Sequence, residues 1–217
     1  MKRGIELIHP NNIGWIEYKL DTQEMDYVWK CIENKKEKDN ARDVLAGQVS
    51  GSYFLKDTGD WFYHQVIAPC LDEYNKQFRN LGDNVPINSR HPFFMQRWWV
   101  NYQKQHEFNP VHNHTGLYSF VVWMKVPYNS KEQNLKYAPS TSSNQKCVGS
   151  FQFQYVNMLG DTILHGYPMD KSMEGKMLFF PSRLHHSVYP FYNCDEERIS
   201  VSGNIALNSN ITIQRYR

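Results

Sequence analysis

Cysteines, long apolar runs and blocks of like charge are scarce in this 217-residue sequence, and each absence excludes a class of protein. The four cysteines lie far apart and form no CxxC pair, which argues against a disulfide framework or a cysteine zinc site. No run of about 18 apolar residues is present for a membrane span, and residues 1–10 lack the apolar core of a secretory signal. The 24 Lys and Arg residues nearly balance 22 Asp and Glu residues without a long basic block, so no specific nucleic-acid partner is expected. We therefore expect a cytoplasmic protein with no membrane partner, in the host cytoplasm if its source is viral.

The composition predicts one globular domain with enough apolar surface for a core. Apolar residues make up 41% of the chain and aromatic residues 15%, against 21% charged residues. Burial of this surface can offset the entropy lost on folding. The length fits a single domain over residues 1–217, and no internal repeat is visible. The spacing of apolar residues changes near residue 92 from a helical pattern to short β-branched and aromatic runs. We therefore expect a helical supporting region over residues 1–91 and a β-rich core over residues 92–217.

Apolar residues recur every three or four positions in the N-terminal region. Residues 22–36 show this spacing and predict an amphipathic helix. Residues 59–79 predict a second helix, with a kink or break at Pro69 because proline lacks a backbone N–H. A short extended segment over residues 13–20 precedes both helices.

Short runs rich in Val, Ile, Tyr, Phe and Trp follow, separated by clusters of Asn, Gly, Pro and Ser. The predicted strands cover residues 93–103, 117–126, 150–158, 176–180, 185–189 and 198–207. This spacing is typical of a sandwich, barrel or jelly roll. Residues 128–146 are polar and irregular, and we interpret them as a long loop that covers or forms a binding site.

Three of the nine histidines fall where a metal site requires them. His112 and His114 are two positions apart in FNPVHNHTG, so in an extended segment both side chains point the same way. In RLHHSV, His186 is in phase with the apolar residues two positions before and after it, whereas His185 points outward or supports the ligands. We predict that His112, His114 and His186 bind one metal ion. The alternative is a pair of exposed histidines in a turn and one buried histidine without a ligand.

Arg198 begins a strand whose two faces differ sharply in polarity. Arg198 and Ser200 share the polar row of ERISVSGNIAL. Arg198 lies on the strand after His186, and a guanidinium there can bind a carboxylate through two hydrogen bonds while Ser200 adds a hydroxyl donor. The alternative is a solvated strand face.

Three runs in order, NYQKQHEFNPVHNHTG, GKMLFFPSRLHHSVYP and RISVSGN, resemble the iron(II)- and 2-oxoglutarate-dependent oxygenases. The resemblance covers about residues 93–207 and is to the prolyl-hydroxylase-like branch of bacterial and phage type. It implies a mainly β fold with N-terminal helices around a double-stranded β-helix, or jelly roll. It also implies a dioxygenase that uses Fe(II), 2-oxoglutarate as cosubstrate and O2 to hydroxylate a small-molecule or peptide substrate, for instance a peptidyl prolyl residue.

The resemblance assigns roles to individual residues. Arg198, Ser200 and Tyr102 would bind the far carboxylate of 2-oxoglutarate. Trp99, Tyr118 and Trp123 would line the substrate pocket, although aromatic residues in strands more often pack in the core.

Position 114 departs from the family pattern, which has an acidic ligand there. Three neutral imidazoles leave a ferrous site one unit more positive than two imidazoles and one carboxylate do. Glu107, Asp161 and Asp170 are alternative acidic ligands, but their spacing does not match the family. Two other functions remain open on the sequence alone: a cupin-like three-histidine metal protein that does not use 2-oxoglutarate, and a non-catalytic β-sandwich of viral or binding type. The substrate and the oligomeric state are not encoded in any pattern that we recognise.

Overall fold

Ten β-strands form two antiparallel sheets in the computed structural model, which describes residues 8, 12, 14–87, 89–136 and 138–213. The strands are β1 (Ile16–Lys19), β2 (Gly51–Phe54), β3 (Phe93–Gln103), β4 (Asn109–His112), β5 (Tyr118–Lys125), β6 (Phe151–Val156), β7 (Thr162–Tyr167), β8 (Lys176–Pro181), β9 (His185–Val188) and β10 (Arg198–Leu207). The larger sheet has the order β1-β8-β5-β10-β3-β2, and the smaller sheet has the order β4-β9-β6-β7.

The eight strands from β3 onward divide equally between the two sheets. Strands β8, β5, β10 and β3 lie in the larger sheet, and β4, β9, β6 and β7 form the smaller one. Two four-stranded antiparallel sheets connected in this way make a jelly roll, or double-stranded β-helix. Strands β1 and β2 extend the larger sheet at its two edges. The predicted fold class is therefore confirmed, and both edge strands come from the N-terminal region.

The helices lie mainly in the N-terminal region. They are α1 (Thr22–Glu33), a π-helical turn (Tyr63–Ile67) that continues into α2 (Ala68–Gln77), α3 (Ser130–Lys136) and α4 (Ala138–Thr141), with 3-10 turns at Glu37–Asp39, Arg42–Val44, Thr58–Asp60, Leu81–Asn84 and Lys171–Met173. Asp21 and Glu24 fix the start of α1, because each side chain accepts a hydrogen bond of 2.8 Å from the other residue's backbone N–H. Pro69 is the second residue of α2, directly after the π-helical turn, and because proline has no backbone N–H it donates no helical hydrogen bond there. The predicted interruption at Pro69 corresponds to the junction between the π-turn and α2.

The larger sheet separates two hydrophobic clusters. Helices α1 and α2 cover its outer face with residues such as Val28 and Tyr74. Phe62, directly before the π-helical turn, stacks on Trp98 of β3 with ring centroids 5.2 Å apart. The second cluster lies between the sheets and consists of Val121, Trp123, Val126, Tyr128, Phe151, Phe153, Tyr167, Met169, Met173, Leu178, Phe180 and Phe191. Because side chains alternate along a strand, each residue of β3, β5 and β10 belongs either to the helix-covered face or to the inter-sheet face.

The segment 128–146 is not the unpacked loop that its polarity suggests. It contains α3, and Tyr128 and Asn134 are buried. The Asn134 side chain donates to Ser130 O at 2.7 Å and accepts from Val148 N at 3.3 Å. A polar segment can pack when its side chains form hydrogen bonds with buried backbone groups. Composition alone does not reveal these hydrogen bonds.

Candidate metal and cosubstrate site

The three predicted histidines lie close together at the end of β4, beside β9. His112 ends β4 and lies opposite His186 of β9 in the strand register. His114 lies just beyond β4, and its backbone N–H donates to Ser182 O at 2.9 Å. The ring centroids are 4.3 Å apart for His112 and His186, 4.9 Å for His114 and His186, and 5.1 Å for His112 and His114. Within the described residues, these three form the one group of His, Cys, Asp and Glu side chains arranged to hold a metal ion, with ligand atoms within 4.8 Å of one another.

The hydrogen bonds of the rings indicate which nitrogens are free to bind a metal. His112 Nδ1 lies 2.7 Å from Pro110 O, and His186 Nδ1 lies 2.9 Å from Leu184 O. Since a carbonyl only accepts, we infer that both Nδ1 atoms are protonated and that each Nε2 carries a lone pair. Backbone acceptors that fix the tautomer in this way are common around metal-binding histidines.

The spacing of the imidazoles fits one ion. His114 Nε2 and His186 Nε2 are 3.1 Å apart. Two ligands at right angles around an ion, each with a bond of about 2.1 Å, lie about 3 Å apart. Burial lowers the pKa of all three histidines, with neighbouring histidines as a second cause for His114 and His186, and it lowers the pKa of His114 to about 3. The rings are therefore neutral at pH 7, which is the form that binds metals.

The alternatives weighed from the sequence lie outside this group. His186 is only 4% exposed, whereas its neighbour His185 is exposed and contacts Asn113, so the strand-parity argument chose the inward histidine. Glu107 accepts a hydrogen bond from the backbone N–H of Lys104. Asp161 accepts from the side-chain amide of Asn157 at 3.3 Å, and Asp170 accepts from the backbone N–H of Ser172 at 2.8 Å. None of the three acids belongs to the histidine group.

Arg198 lies buried at the far end of the same cavity, with 2% of its surface exposed. One guanidinium nitrogen, Nη1, donates to Tyr128 Oη and to Gly149 O at 3.1 Å. The other, Nη2, donates to Gln103 Oε1. Among the described residues, no carboxylate lies within ion-pair distance of Arg198. A buried cation held only by neutral acceptors is poised to bind an anion, since an uncompensated buried charge is costly.

Tyr128 and Gly149 form a tight support for this guanidinium. Tyr128 Oη donates to Gly149 O at 2.6 Å while it accepts from Arg198. Burial raises the pKa of Tyr128, so the phenol keeps the proton that it donates. Gly149 has a φ of +67°, and a Cβ there would lie 2.5 Å from the Tyr128 ring, so glycine allows the carbonyl to approach.

One cavity of about 350 Å³ connects Arg198 with the three histidines. Its wall in the larger sheet is a ladder of residues on β10 and β3 that face each other in register and line the cavity. From the deep end to the mouth the pairs are Arg198 with Gln103, Ser200 with Asn101, Ser202 with Trp99, and Asn204 with Arg97. Aromatic rings enclose the histidines: the Trp99 ring lies 5.6 Å from that of His114, and the Phe151 ring lies 5.6 Å from that of His186.

Two of the residues expected in the site face away from it. Tyr102 alternates with the cavity residues of β3, so its ring lies on the helix-covered face beside Tyr53 and under the Lys35 ammonium. Tyr118 is buried on the same face, where its hydroxyl donates to Asn75 and accepts from the Leu81 N–H. The predictions that Tyr102 binds the cosubstrate and that Tyr118 lines the substrate pocket were wrong, because strand alternation turns both rings outward. Trp99, Trp123 and Ser200 do line the cavity.

The sequence reasoning missed Gln103 and Tyr128, the two side chains that accept hydrogen bonds from Arg198. Gln103 could have been found, since it is two strand steps from Asn101 and four from Trp99, and thus on the cavity row of β3. Tyr128 follows the end of β5, beyond Pro127, where strand parity no longer applies.

A family model described as "Putative 2OG-Fe(II) oxygenase" matches residues 97–204, a segment that includes the three histidines and Arg198. The chain belongs to the iron(II)- and 2-oxoglutarate-dependent oxygenases. This oxygenase is a non-haem iron enzyme that uses Fe(II) as its cofactor and 2-oxoglutarate and O2 as cosubstrates. No described helix is long and apolar enough to cross a membrane.

Solved structures support the fold of this oxygenase. An oxidoreductase of the 2OG-Fe(II) oxygenase family from Burkholderia pseudomallei shares 12% identity, with 89% of this chain and 85% of that chain covered and a TM-score of 0.54. A prolyl-4-hydroxylase from Pseudomonas putida shares 13% identity over 91% and 94% of the two chains, with a TM-score of 0.51. A prolyl hydroxylase from Trichoplax adhaerens, solved with a hypoxia inducible factor peptide, shares 14% over 91% and 84%, with a TM-score of 0.50. A search of curated proteins gives no match.

Proposed function

We propose that this oxygenase hydroxylates a C–H bond of a small molecule or of a single peptide side chain, with ferrous iron bound by His112, His114 and His186. The observation that carries the proposal is one cavity with three convergent imidazole nitrogens and, deeper inside, a buried guanidinium that has no ionic partner among the described residues. Bound iron supplies O2 activation: one oxygen atom oxidises 2-oxoglutarate to succinate and CO2, and the other enters the substrate as hydroxyl.

The residues at the deep end would orient the cosubstrate. Arg198 would bind its far carboxylate, because a guanidinium presents two parallel N–H donors to a planar anion. Tyr128 and Gln103 hold the guanidinium in place. Ser200, next along the polar row of β10, would add a hydroxyl donor.

The aromatic residues around the histidines would keep water from the reacting centre. Trp123, Phe151 and Phe180 line the cavity and are almost fully buried. An apolar lining that excludes water strengthens electrostatic interactions inside the site and limits side reactions.

The cavity size favours a compact substrate. A volume of about 350 Å³ lies near the lower end of the range for ligand pockets, and the cosubstrate would fill part of it. A free small molecule fits this space, as does one side chain such as a prolyl ring at the mouth. A three-histidine metal protein that does not use 2-oxoglutarate would leave the supported cation at Arg198 without a role.

Succinate formation tests the proposed function. We expect the purified protein to form succinate only when Fe(II), 2-oxoglutarate and O2 are all present. Replacing Arg198 by Gln should reduce this rate strongly while iron binding is retained, because the variant loses the anchor for the cosubstrate and keeps the histidines.

The matched control is Arg79→Gln, which removes an exposed arginine after α2. This control should form succinate at the wild-type rate. Iron-dependent succinate formation that is equal in the Arg198 and Arg79 variants would contradict the proposed role of Arg198.

A further inference from the structure

The polar ladder between β3 and β10 carries a guanidinium at each end. Arg198 pairs with Gln103 at the deep end, and Arg97 pairs with Asn204 at the mouth. Residues 198 and 204 are six steps apart on one strand, a distance of about 20 Å between their Cα atoms. Only the deep guanidinium is accounted for by the proposed cosubstrate.

Arg97 is exposed, lines the cavity and has no ionic partner in the described part of the chain. Its guanidinium carbon lies 5.6 Å from the centre of the Phe54 ring, which is within cation–π range. Phe54 belongs to β2, the neighbour of β3, and also lines the cavity. The ring supports the guanidinium from one side and leaves its N–H donors available.

The charge of the cavity favours a second anion. No Asp, Glu or Lys occurs among the described residues that line it, whereas two arginines do. Three neutral imidazoles add no charge, so the two positive charges of ferrous iron would be matched by the two negative charges of 2-oxoglutarate. With the two arginines, the loaded cavity would then keep a net charge of two positive units, and Arg97 would be the guanidinium without an anionic partner in it. With a carboxylate ligand in place of His114, the net charge of the loaded cavity would be one unit less positive.

The position of Arg97 relative to the histidines suits a substrate contact. Trp99 packs against the His114 ring and therefore marks the level of the metal group on β3. Arg97 lies two residues further toward the mouth, a step of about 7 Å along the strand, and Gln103 lies on the opposite side of that level. A molecule bound by Arg97 would therefore approach the metal from the side opposite to Arg198.

We propose that the substrate is a small anionic molecule whose carboxylate or phosphate group is bound by Arg97 at the cavity mouth. This inference rests on the proposed function and names its substrate class. A guanidinium recognises either group through two parallel hydrogen bonds, so the shared feature is a planar pair of anionic oxygens.

Paired probes distinguish an anionic substrate from a neutral one. N-acetyl derivatives of the L-amino acids with uncharged side chains are compared with their carboxamides, and ribonucleoside monophosphates with the corresponding nucleosides. Binding to the protein loaded with Fe(II) and 2-oxoglutarate is measured by calorimetry without oxygen, and stimulation of succinate formation is measured with oxygen. We expect at least one anionic probe to bind and to stimulate turnover, with an affinity about tenfold or more above that of its neutral partner.

Variants of Arg97 test whether this residue causes the preference. Arg97→Ala should remove the difference between the paired probes, Arg97→Lys should keep part of it, and the exposed control Arg79→Ala should leave it unchanged. Neutral probes that bind as well as anionic ones, a preference that survives in Arg97→Ala, or a panel in which no anionic probe binds would each overturn the inference.

A second measurement on the same samples distinguishes failure of the substrate class from failure of the proposed function. The visible charge-transfer band of the iron chelate reports cosubstrate binding, and Arg97→Ala should leave its titration with 2-oxoglutarate unchanged because Arg97 lies at the other end of the ladder. If the band is absent in the wild type, the proposed function fails. If the band is present and the anion preference is absent, only the substrate class fails.

Discussion

Replacing Tyr128 by Phe removes one hydroxyl from the support of Arg198 and changes little else. The Tyr128 ring stacks on Phe191 with centroids 4.4 Å apart, and a phenylalanine keeps this contact. The lost hydroxyl accepts from Arg198 Nη1 and donates to Gly149 O. Since the guanidinium remains bonded to Gly149 and Gln103, we expect it to stay in the cavity with a less fixed orientation.

The size of the effect follows from the kind of bond that is lost. A hydrogen bond to a charged group contributes about 1.5–3 kcal/mol. Two other acceptors still hold Arg198, so we expect a loss of binding free energy near the lower end of this range. A loss of about 1.4 kcal/mol corresponds to tenfold weaker binding. We therefore predict that Tyr128→Phe raises the Kd for 2-oxoglutarate about tenfold without changing iron stoichiometry. Titration of the anaerobic iron protein with 2-oxoglutarate, followed by visible absorption, measures this Kd.

Tyr102→Phe is the matched control, because it removes the same atom from the other face of the larger sheet. Tyr102 packs beside Tyr53 in the helix-covered cluster, and its variant should bind 2-oxoglutarate as the wild type does. Weaker binding in Tyr102→Phe together with unchanged binding in Tyr128→Phe would refute the assignment of the cavity face. Unchanged binding in both variants would refute the role of the hydroxyl.

Three further predictions concern the histidines. His112→Ala and His186→Ala should each abolish stoichiometric Fe(II) binding in equilibrium dialysis, whereas the variant of the exposed neighbour, His185→Ala, should bind one equivalent. Loss of iron in His185→Ala together with retention in His186→Ala would contradict the ligand set. His114→Asp should still bind iron but form much less succinate, because the shorter carboxylate requires β4 to shift toward the ion; wild-type turnover would show that imidazole is not required there. Burial lowers the pKa of His112, His114 and His186 below the unfolded value of about 6.5, so the unfolded chain binds more protons and the metal-free protein should lose stability as the pH falls below about 6.5. Urea unfolding at pH 7.5 and pH 5 measures this loss, and a free energy of unfolding that is higher at pH 5 would contradict it.

Strand periodicity accounts for what could be predicted from the sequence. The long strands β3 and β10 were predicted at their observed bounds because many β-branched and aromatic residues alternate there. The choice of His186 over His185 used the same alternation, and the structure buries His186 and exposes His185. The ligand role of these histidines remains a prediction.

The errors arise where tertiary contacts, rather than the local pattern, decide the structure. Strands β2, β4 and β7 were missed; all three are edge strands, β2 and β4 have only four residues each, and β2 and β7 contain glycine. Tyr102 was assigned by family pattern alone, although the cavity row of β3 passes through Gln103 instead. Tyr128 reaches Arg198 only because Gly149 lies close to it in the folded chain, 21 residues further along, and no local pattern encodes that contact.

Joint binding of iron and 2-oxoglutarate in one cavity is the central claim, and anaerobic absorption spectroscopy tests it most directly. We predict that adding 2-oxoglutarate to the protein with one equivalent of Fe(II) produces the visible metal-to-ligand charge-transfer band of the chelate, and that His186→Ala or omission of either component abolishes the band. Tight Fe(II) binding without a band at saturating 2-oxoglutarate, or a band of full intensity in His186→Ala, would contradict the account.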